Sequence, residues 1–227
     1  MTKILFRAPP VVAAIAAVPF CVPLTAQAHE TEAAYVYQRD VETHPSPGEV
    51  RIVEGTKATL VTTQGAAFAS VATRELTPGN AYTLWWVVIN EPTACETSPC
   101  KPPDVLQRSD ITRADVGYAD GLIAGDDGSG RFASHLPVGP LSQGWFGHGF
   151  DNPQGAEIHL VINDHGPLLP EMAESMLGSA RGGCVDQSFP ADFPEAAFAD
   201  GTPGPNTCRF VQAVIITQDA EQIAKAQ

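Results

Sequence analysis

The chain has 227 residues and a formal net charge of −13 at pH 7, because 26 acidic residues outnumber 13 lysines and arginines. A surface this acidic repels the phosphates of nucleic acids and the head groups of anionic lipids, so we expect neither nucleic acid nor a membrane surface as partner. The length suffices for one domain with a sizeable hydrophobic core.

Residues 1–28 have the three parts of a secretory signal peptide. Lys3 and Arg7 give a positive start, an apolar run follows, and Ala26-Gln27-Ala28 matches the small-x-small pattern that signal peptidase accepts. Prolines interrupt the apolar run, which argues against a retained membrane-spanning helix. We therefore predict cleavage after Ala28, a secreted or periplasmic location, and no membrane insertion of the mature protein.

Four of the five cysteines lie beyond this segment. An even number of cysteines in an exported protein predicts disulfides, and here the sequence allows three pairings. We prefer Cys95–Cys100 and Cys184–Cys208, because each pair joins the ends of a loop rich in proline and glycine. A zinc site is the less favoured alternative, since the spacing of the cysteines differs from that of zinc knuckles.

The rest of the chain indicates one domain made mainly of strands. Residues 29–48 are expected to form a loosely ordered N-terminal arm with a possible strand at 34–37, and residues 49–227 a single β-sandwich domain. The predicted strands of this domain are 49–54, 57–63, 67–76, 81–90, 116–124, 131–138, 156–163 and 208–217.

Four of these segments carry more specific expectations. Strand 81–90 is apolar on both faces, so it should lie inside a sheet with material on each side. Segments 116–124 and 131–138 flank a turn rich in aspartate and glycine and predict a hairpin. In 156–163 the alternation places Ile158, Leu160 and Ile162 on one face of the strand, and His159 and Val161 on the other.

One helix is expected from Pro170 to about Ala180, because proline suits the first helical turn and Gly182-Gly183 would end it. Many short strands with Gly/Pro turns and one short helix predict a mostly β fold, an antiparallel β-sandwich with long loops and two disulfides.

Several motifs of this core occur together. They are Y-T-L-W-W-V-V at 82–88, G-A-E-I-H-L-V at 155–161, D-H-G-P at 164–167 and P-G-P-N-T-C at 203–208. In these motifs the chain resembles a family of uncharacterised secreted bacterial proteins, over roughly residues 75–215. The resemblance implies export and a shared fold, and it implies no activity.

The histidines suggest a metal site. His135 and His159 lie on predicted strands opposite the main apolar row, and His165 follows at the end of the His159 strand. If these strands are neighbours, the imidazoles would converge on copper or zinc. A mature N-terminal His29 would chelate copper through its amine and ring nitrogen. The alternative is that the strand histidines only donate and accept hydrogen bonds locally.

No segment matches a serine-hydrolase elbow, a phosphate-binding loop or a zinc-protease helix. The sequence therefore favours a protein without catalytic activity, but it does not exclude an enzyme. We expect first a non-catalytic envelope or extracellular domain that binds a small ligand or a protein, and second a copper or zinc protein.

Trp145, Phe146 and His148 lie in an aromatic, glycine-rich segment that is the candidate contact loop. The alternative is that Trp145 and Phe146 plug the end of the sandwich.

We expect mass spectrometry of the exported protein to show His29 as its first residue, because signal peptidase cleaves after the small residue that ends the signal. Copper titration of that protein then tests the metal alternative, with a His29→Ala variant as the control. A different first residue removes the amine and imidazole chelate. A lack of stoichiometric binding contradicts the copper hypothesis.

Overall fold

A computed structural model describes residues 33–218 and 224–226 of the chain. The predicted signal peptide and His29 lie outside the described residues. No helix in the described part is long and apolar enough to cross a membrane.

Two antiparallel sheets, each with five strands in the described residues, form the protein. The first sheet has the strand order β10-β1-β3-β4-β7 and the second has the order β2-β9-β8-β5-β6. The strands are β1 Ala34–Arg39, β2 Glu42–Thr43, β3 Lys57–Thr62, β4 Ala66–Thr73, β5 Asn80–Ile89, β6 Ala114–Ile123, β7 Gly130–Pro137, β8 Glu157–Pro167, β9 Arg209–Ile216 and β10 Ala224–Ala226. The predicted antiparallel β-sandwich is confirmed.

The main core lies between the two sheets. The inward side chains of the second sheet include Trp86 of β5 and Leu160 of β8, and the first sheet contributes Leu60 and Phe132. All four are buried. This is the outcome that alternation in β8 predicts, because every second side chain of a strand points to the same face.

Strand β5 is confirmed as an interior strand. It pairs with β8 on one side and with β6 on the other. Its inward residues join the main core, whereas Trp85 and Ile89 on its other face belong to a second apolar cluster. The strand is therefore covered on both faces, as its apolar sequence requires.

Loops, not a third sheet, cover the outward face of the second sheet. We call residues 91–113, 138–156 and 168–208 together the outer layer. Its side chains pack on Trp85 and Ile89 in the second cluster, with Val105, Phe146 and Phe189 as examples from its three segments. The outer layer therefore buries the face of β5 that the first sheet does not reach.

The helices of the described residues all lie in the outer layer and are short. They are α1 Pro102–Leu106, α2 Ser109–Thr112, α3 Ala173–Gly178 and α4 Glu195–Ala199, with 3-10 turns at Pro92–Ala94, Pro170–Met172 and Asp186–Ser188. The single helix expected from Pro170 to Ala180 is a 3-10 turn followed by α3, and the other helices were not expected.

Both preferred disulfide pairings are confirmed. Cys95–Cys100 and Cys184–Cys208 each have a Cα–Cα distance of 5.5 Å. Each bridge closes a loop of the outer layer, where little regular secondary structure is available to hold the backbone.

Two strand expectations were wrong. Residues 49–54 form no strand apart from one bridge between Ile52 and Glu42, and Val50 and Ile52 are each 48% exposed. Residues 51–53 lie along the free edge of β2, with backbone hydrogen bonds from Thr43 to Arg51 and from Val53 to Val41, but this contact is too short to form a strand. The predicted hairpin of β6 and β7 is also absent: β6 pairs with β5, and β7 pairs with β4 in the opposite sheet. The turn at 124–130 thus carries the chain from one sheet to the other.

The expected N-terminal arm belongs in part to the sandwich. Residues of β1 pair with β3 and β10 in the first sheet, and β2 pairs with β9 in the second. The sandwich therefore begins before residue 49, because the strand expected at 34–37 is a full member of a sheet.

Gly121 of β6 lies directly against the outer layer, since a Cβ at this position would be 2.0 Å from the carbonyl oxygen of Leu177. We expect Gly121→Ala to push the backbone at Leu177 away from β6 and to lower the free energy of unfolding by about 1–3 kcal/mol. Urea unfolding measures the change. Gly65→Ala is the matched control, because a Cβ at Gly65 meets nothing within 4 Å. Equal stability of the two variants would contradict the close packing at Gly121.

Candidate functional site

A cavity of about 320 Å³ lies between the second sheet and the outer layer, and we call it the candidate cavity. Its floor consists of outward side chains of β5, β6, β8 and β9, among them Val87, Val116 and Val161. Its walls come from the segment after β2, from α1, from the loop at 145 and from the loop at 190–193. Eight separate segments of the chain, four strands and four loop or helix segments, therefore build one site.

Aromatic rings form a continuous wall of the candidate cavity. The ring centroids of Trp85 and Trp145 are 5.7 Å apart, those of Trp145 and Phe193 are 5.1 Å apart, and those of Phe193 and Phe210 are 5.9 Å apart. These separations are typical of favourable aromatic pairs. The wall suits a flat, apolar ligand.

His159 provides one of the few polar groups in the candidate cavity. Its Nε2 lies 2.6 Å from Oε1 of the buried Glu157. The same carboxylate oxygen accepts the backbone N–H of Cys100 at 2.8 Å. The imidazole is therefore fixed through Nε2, while its Nδ1 has no hydrogen-bond partner among the described residues.

His44 is the second imidazole of the candidate cavity. Its Nδ1 accepts the backbone N–H of Ser46 at 3.2 Å. Burial, and to a smaller degree the nearby His159, lower the pKa of His44 to about 4. The ring is therefore neutral at pH 7 and carries its proton on Nε2.

A buried carboxylate holds the predicted contact loop in place. Asp115 accepts the backbone N–H groups of Phe146 at 2.9 Å and Gly149 at 2.8 Å, in addition to that of Val116 at 2.9 Å. Charge-assisted bonds of this kind are stronger than neutral ones. The loop after residue 144 is therefore fastened to the start of β6.

Of the three residues predicted for the contact loop, Trp145 lines the candidate cavity. Its indole N–H is buried and has no acceptor in the described part of the chain. Phe146 packs in the second apolar cluster. His148 lies outside the cavity lining, with Nε2 3.3 Å from a carboxylate oxygen of Asp110 but without hydrogen-bond geometry.

The three described histidines of the expected metal site do not meet. His135 is exposed on β7 of the first sheet, where it stacks on Phe68 at 4.5 Å. His159 and His165 lie on the outward side of β8 in the second sheet, six positions apart along the strand, which corresponds to roughly 20 Å. The expected convergence assumed that the His135 and His159 strands were neighbours, and they belong to different sheets.

His165 holds the outer layer to the second sheet. Its Nδ1 donates to the carbonyl oxygen of Gly182 at 2.8 Å, and its Nε2 accepts the hydroxyl of Thr83 at 2.7 Å. His165, Cys184 and Cys208 bring possible ligand atoms within 4.8 Å of one another, the single group of this kind in the described residues. The two sulfurs are joined as a disulfide, so they offer no thiolate to a metal.

Several residues of the candidate cavity were not predicted from the sequence. His44 was placed in a loosely ordered arm, and Phe193 and Phe210 were given no role. The available signal was the run of phenylalanines at 189, 193 and 198 in a segment with prolines at 190 and 194. Apolar rings in a proline-rich loop require a surface to cover, and that surface is the outward face of the second sheet.

No protein-family model, curated protein or solved structure matched the chain in three comparisons. The resemblance to a family of secreted bacterial proteins therefore stays a prediction.

We expect the stability of the protein to fall on mild acidification. Burial lowers the pKa of His165 to about 4, whereas an unfolded histidine titrates near 6.5. Between these values the unfolded chain binds a proton that the folded chain does not, so the free energy of unfolding decreases as the pH decreases. For His165 alone, urea unfolding should show a loss of about 2 kcal/mol between pH 7 and pH 5.

The His165→Asn variant isolates this contribution. It should be less stable than the wild type at pH 7 and should lose less stability on going to pH 5. His135→Asn is the control, because His135 is exposed and its replacement should leave the pH dependence unchanged. A wild-type pH dependence in the His165→Asn variant would contradict this role of His165.

Proposed function

We propose that the protein is a non-catalytic binding protein that holds a small, mostly apolar ligand in the candidate cavity. The observation that carries this proposal is the continuous aromatic wall from Trp85 through Trp145 and Phe193 to Phe210. The cavity volume of about 320 Å³ is at the lower end of the range for small-molecule sites. A ligand with one or two rings fits these dimensions.

The side chains that line the candidate cavity also indicate which charge the ligand carries. Among the described residues that line the candidate cavity there is no lysine or arginine, and the polar ones are His44, Ser46, His159 and Asp192. An anionic ligand would find no lysine or arginine and would lie near two acidic groups, Glu157 behind His159 and Asp192 in the wall. We therefore favour an uncharged ligand.

The hydrogen bonds of the described histidines favour binding over catalysis. Neither His44 nor His159 is hydrogen-bonded to a hydroxyl group in the described residues, so no activated nucleophile faces the candidate cavity. The hydroxyl that does contact an imidazole is that of Thr83 beside His165, and both residues are fully buried. A substrate would not reach this pair.

We infer that the protein acts outside the cytoplasm. The predicted signal peptide and the two disulfides support this inference, because disulfides persist mainly in oxidising compartments. The alternative function in copper or zinc binding depends on His29, which lies outside the described residues, and the arrangement of His135, His159 and His165 adds no support to it.

Filling the candidate cavity should abolish binding. We expect toluene and indole to bind the wild type saturably, with one site, and to change the tryptophan fluorescence because Trp85 and Trp145 line the cavity. Val161→Phe places a larger side chain in the same space and should weaken this binding by about tenfold or more. Fluorescence titration and ligand-observed NMR measure the affinity.

Val61→Phe is the matched control, since Val61 is half-buried on β3 of the first sheet and outside the cavity lining. This variant should bind both probes like the wild type. If no apolar probe binds saturably, or if Val161→Phe binds as well as Val61→Phe, the candidate cavity is not the binding site.

A further inference from the structure

The two imidazoles of the candidate cavity offer different hydrogen-bonding groups to a ligand. His44 accepts the Ser46 N–H through Nδ1, so its neutral ring has its proton on Nε2. This Nε2–H has no acceptor among the described residues. His44 therefore presents a donor.

His159 presents the opposite group. Glu157 already accepts the Cys100 N–H at the same oxygen that lies 2.6 Å from Nε2 of His159. A carboxylate that accepts a backbone N–H in this way also accepts from the imidazole, so Nε2 of His159 donates. When the ring is neutral, Nδ1 carries a lone pair, and His159 presents an acceptor.

Both imidazoles line the same cavity, because His44 directly follows β2 and His159 lies on β8, and these two strands flank β9 in the second sheet. A hydroxyl satisfies a donor and an acceptor together, because it accepts through its oxygen and donates through its hydrogen. The aromatic wall adjoins this pair, because the rings of His44 and Phe210 are 5.4 Å apart.

We propose that the candidate cavity recognises a neutral phenol, with its ring against the aromatic wall and its hydroxyl between Nε2 of His44 and Nδ1 of His159. The proposal rests on the proposed function and specifies the class of ligand for that site. The hydroxyl accepts from His44 and donates to His159.

Other aromatic ligands satisfy the site less well. A quaternary ammonium group would gain from the aromatic rings, but it has neither a donor nor an acceptor for the two imidazoles. A carboxylate would accept from His44, but it would meet the lone pair of a neutral His159 and no lysine or arginine among the described lining residues. An unsubstituted ring would leave both imidazole nitrogens without a partner, which costs free energy in apolar surroundings.

The experiment compares p-cresol, p-methylanisole and toluene, which share the same ring and methyl group. At about pH 7 the phenol is neutral, since phenolic groups titrate near 10. We expect p-cresol to bind the wild type about tenfold more tightly than the other two, because p-methylanisole only accepts a hydrogen bond and toluene does neither. Benzyltrimethylammonium and p-toluate complete the set as cationic and anionic probes.

Two substitutions assign the preference to the imidazoles. His44→Phe and His159→Phe each keep a ring in the cavity wall and remove one hydrogen-bonding group. Each should reduce the preference for p-cresol over toluene to about twofold or less while toluene still binds. His135→Phe, in the other sheet, should keep the full preference. Circular dichroism and thermal unfolding check that each variant is folded, and His44→Phe is decisive if loss of the Glu157 contact prevents His159→Phe from folding.

The outcomes separate this inference from the proposed function. Equal affinity for p-cresol and toluene would overturn the recognition of a hydroxyl and would leave the apolar binding site in place. A preference for benzyltrimethylammonium or p-toluate over p-cresol would also overturn it. A preference for p-cresol that persists in both histidine variants would show that other groups bind the hydroxyl. Failure of all five probes to bind would overturn the inference and the proposed function together.

Discussion

Strand β5 has apolar side chains on both faces, and each face must be shielded from water. The first sheet shields the face that carries Trp86, whereas the face that carries Trp85 and Ile89 depends on the outer layer. A tryptophan buries roughly 150–250 Å², which corresponds to about 4–6 kcal/mol at 25 cal/mol per Å². This free energy favours the folding of the long loops onto the sheet. The candidate cavity is the place where these loops leave part of the second sheet uncovered.

The outer layer has few strands or helices to satisfy its backbone, so buried side chains take over this task. Asp115 accepts three backbone N–H groups, and two of them belong to the loop that carries Trp145. Asp104, also buried, accepts the N–H groups of Glu96 and Lys101 around the Cys95–Cys100 bridge. His165 binds the carbonyl of Gly182 next to the second bridge. Each disulfide thus lies beside buried polar groups that hold its loop: Asp104 fastens the first loop to itself, Glu157 of β8 accepts the N–H of Cys100, and His165 of β8 binds the second loop.

Alternation in the sequence identifies the faces of a strand but not its partner, and this explains which predictions held. In β8, apolar residues at every second position identify the inward and outward faces. In β5, apolar residues at nearly every position predict a place inside the sheet. The hairpin of β6 and β7 failed because each segment has the pattern of a strand in either sheet. The cavity was missed because it joins His44 to Phe193 and Phe210 across most of the chain. The disulfides could be predicted from the sequence, since exported proteins pair their cysteines and four cysteines allow only three pairings.

Two histidines on the same face of β8 show what separates a structural imidazole from one available to a ligand. His165 has both ring nitrogens satisfied inside the protein, by Thr83 and Gly182, and it is fully buried. His159 has Nε2 bound to Glu157, lines the candidate cavity, and has no hydrogen-bond partner for Nδ1 among the described residues. A polar atom without a partner in apolar surroundings costs free energy, and water or a ligand must compensate for it. The same outer layer closes over His165 and stays open over His159, and His159 is therefore the imidazole at which we propose that a ligand binds.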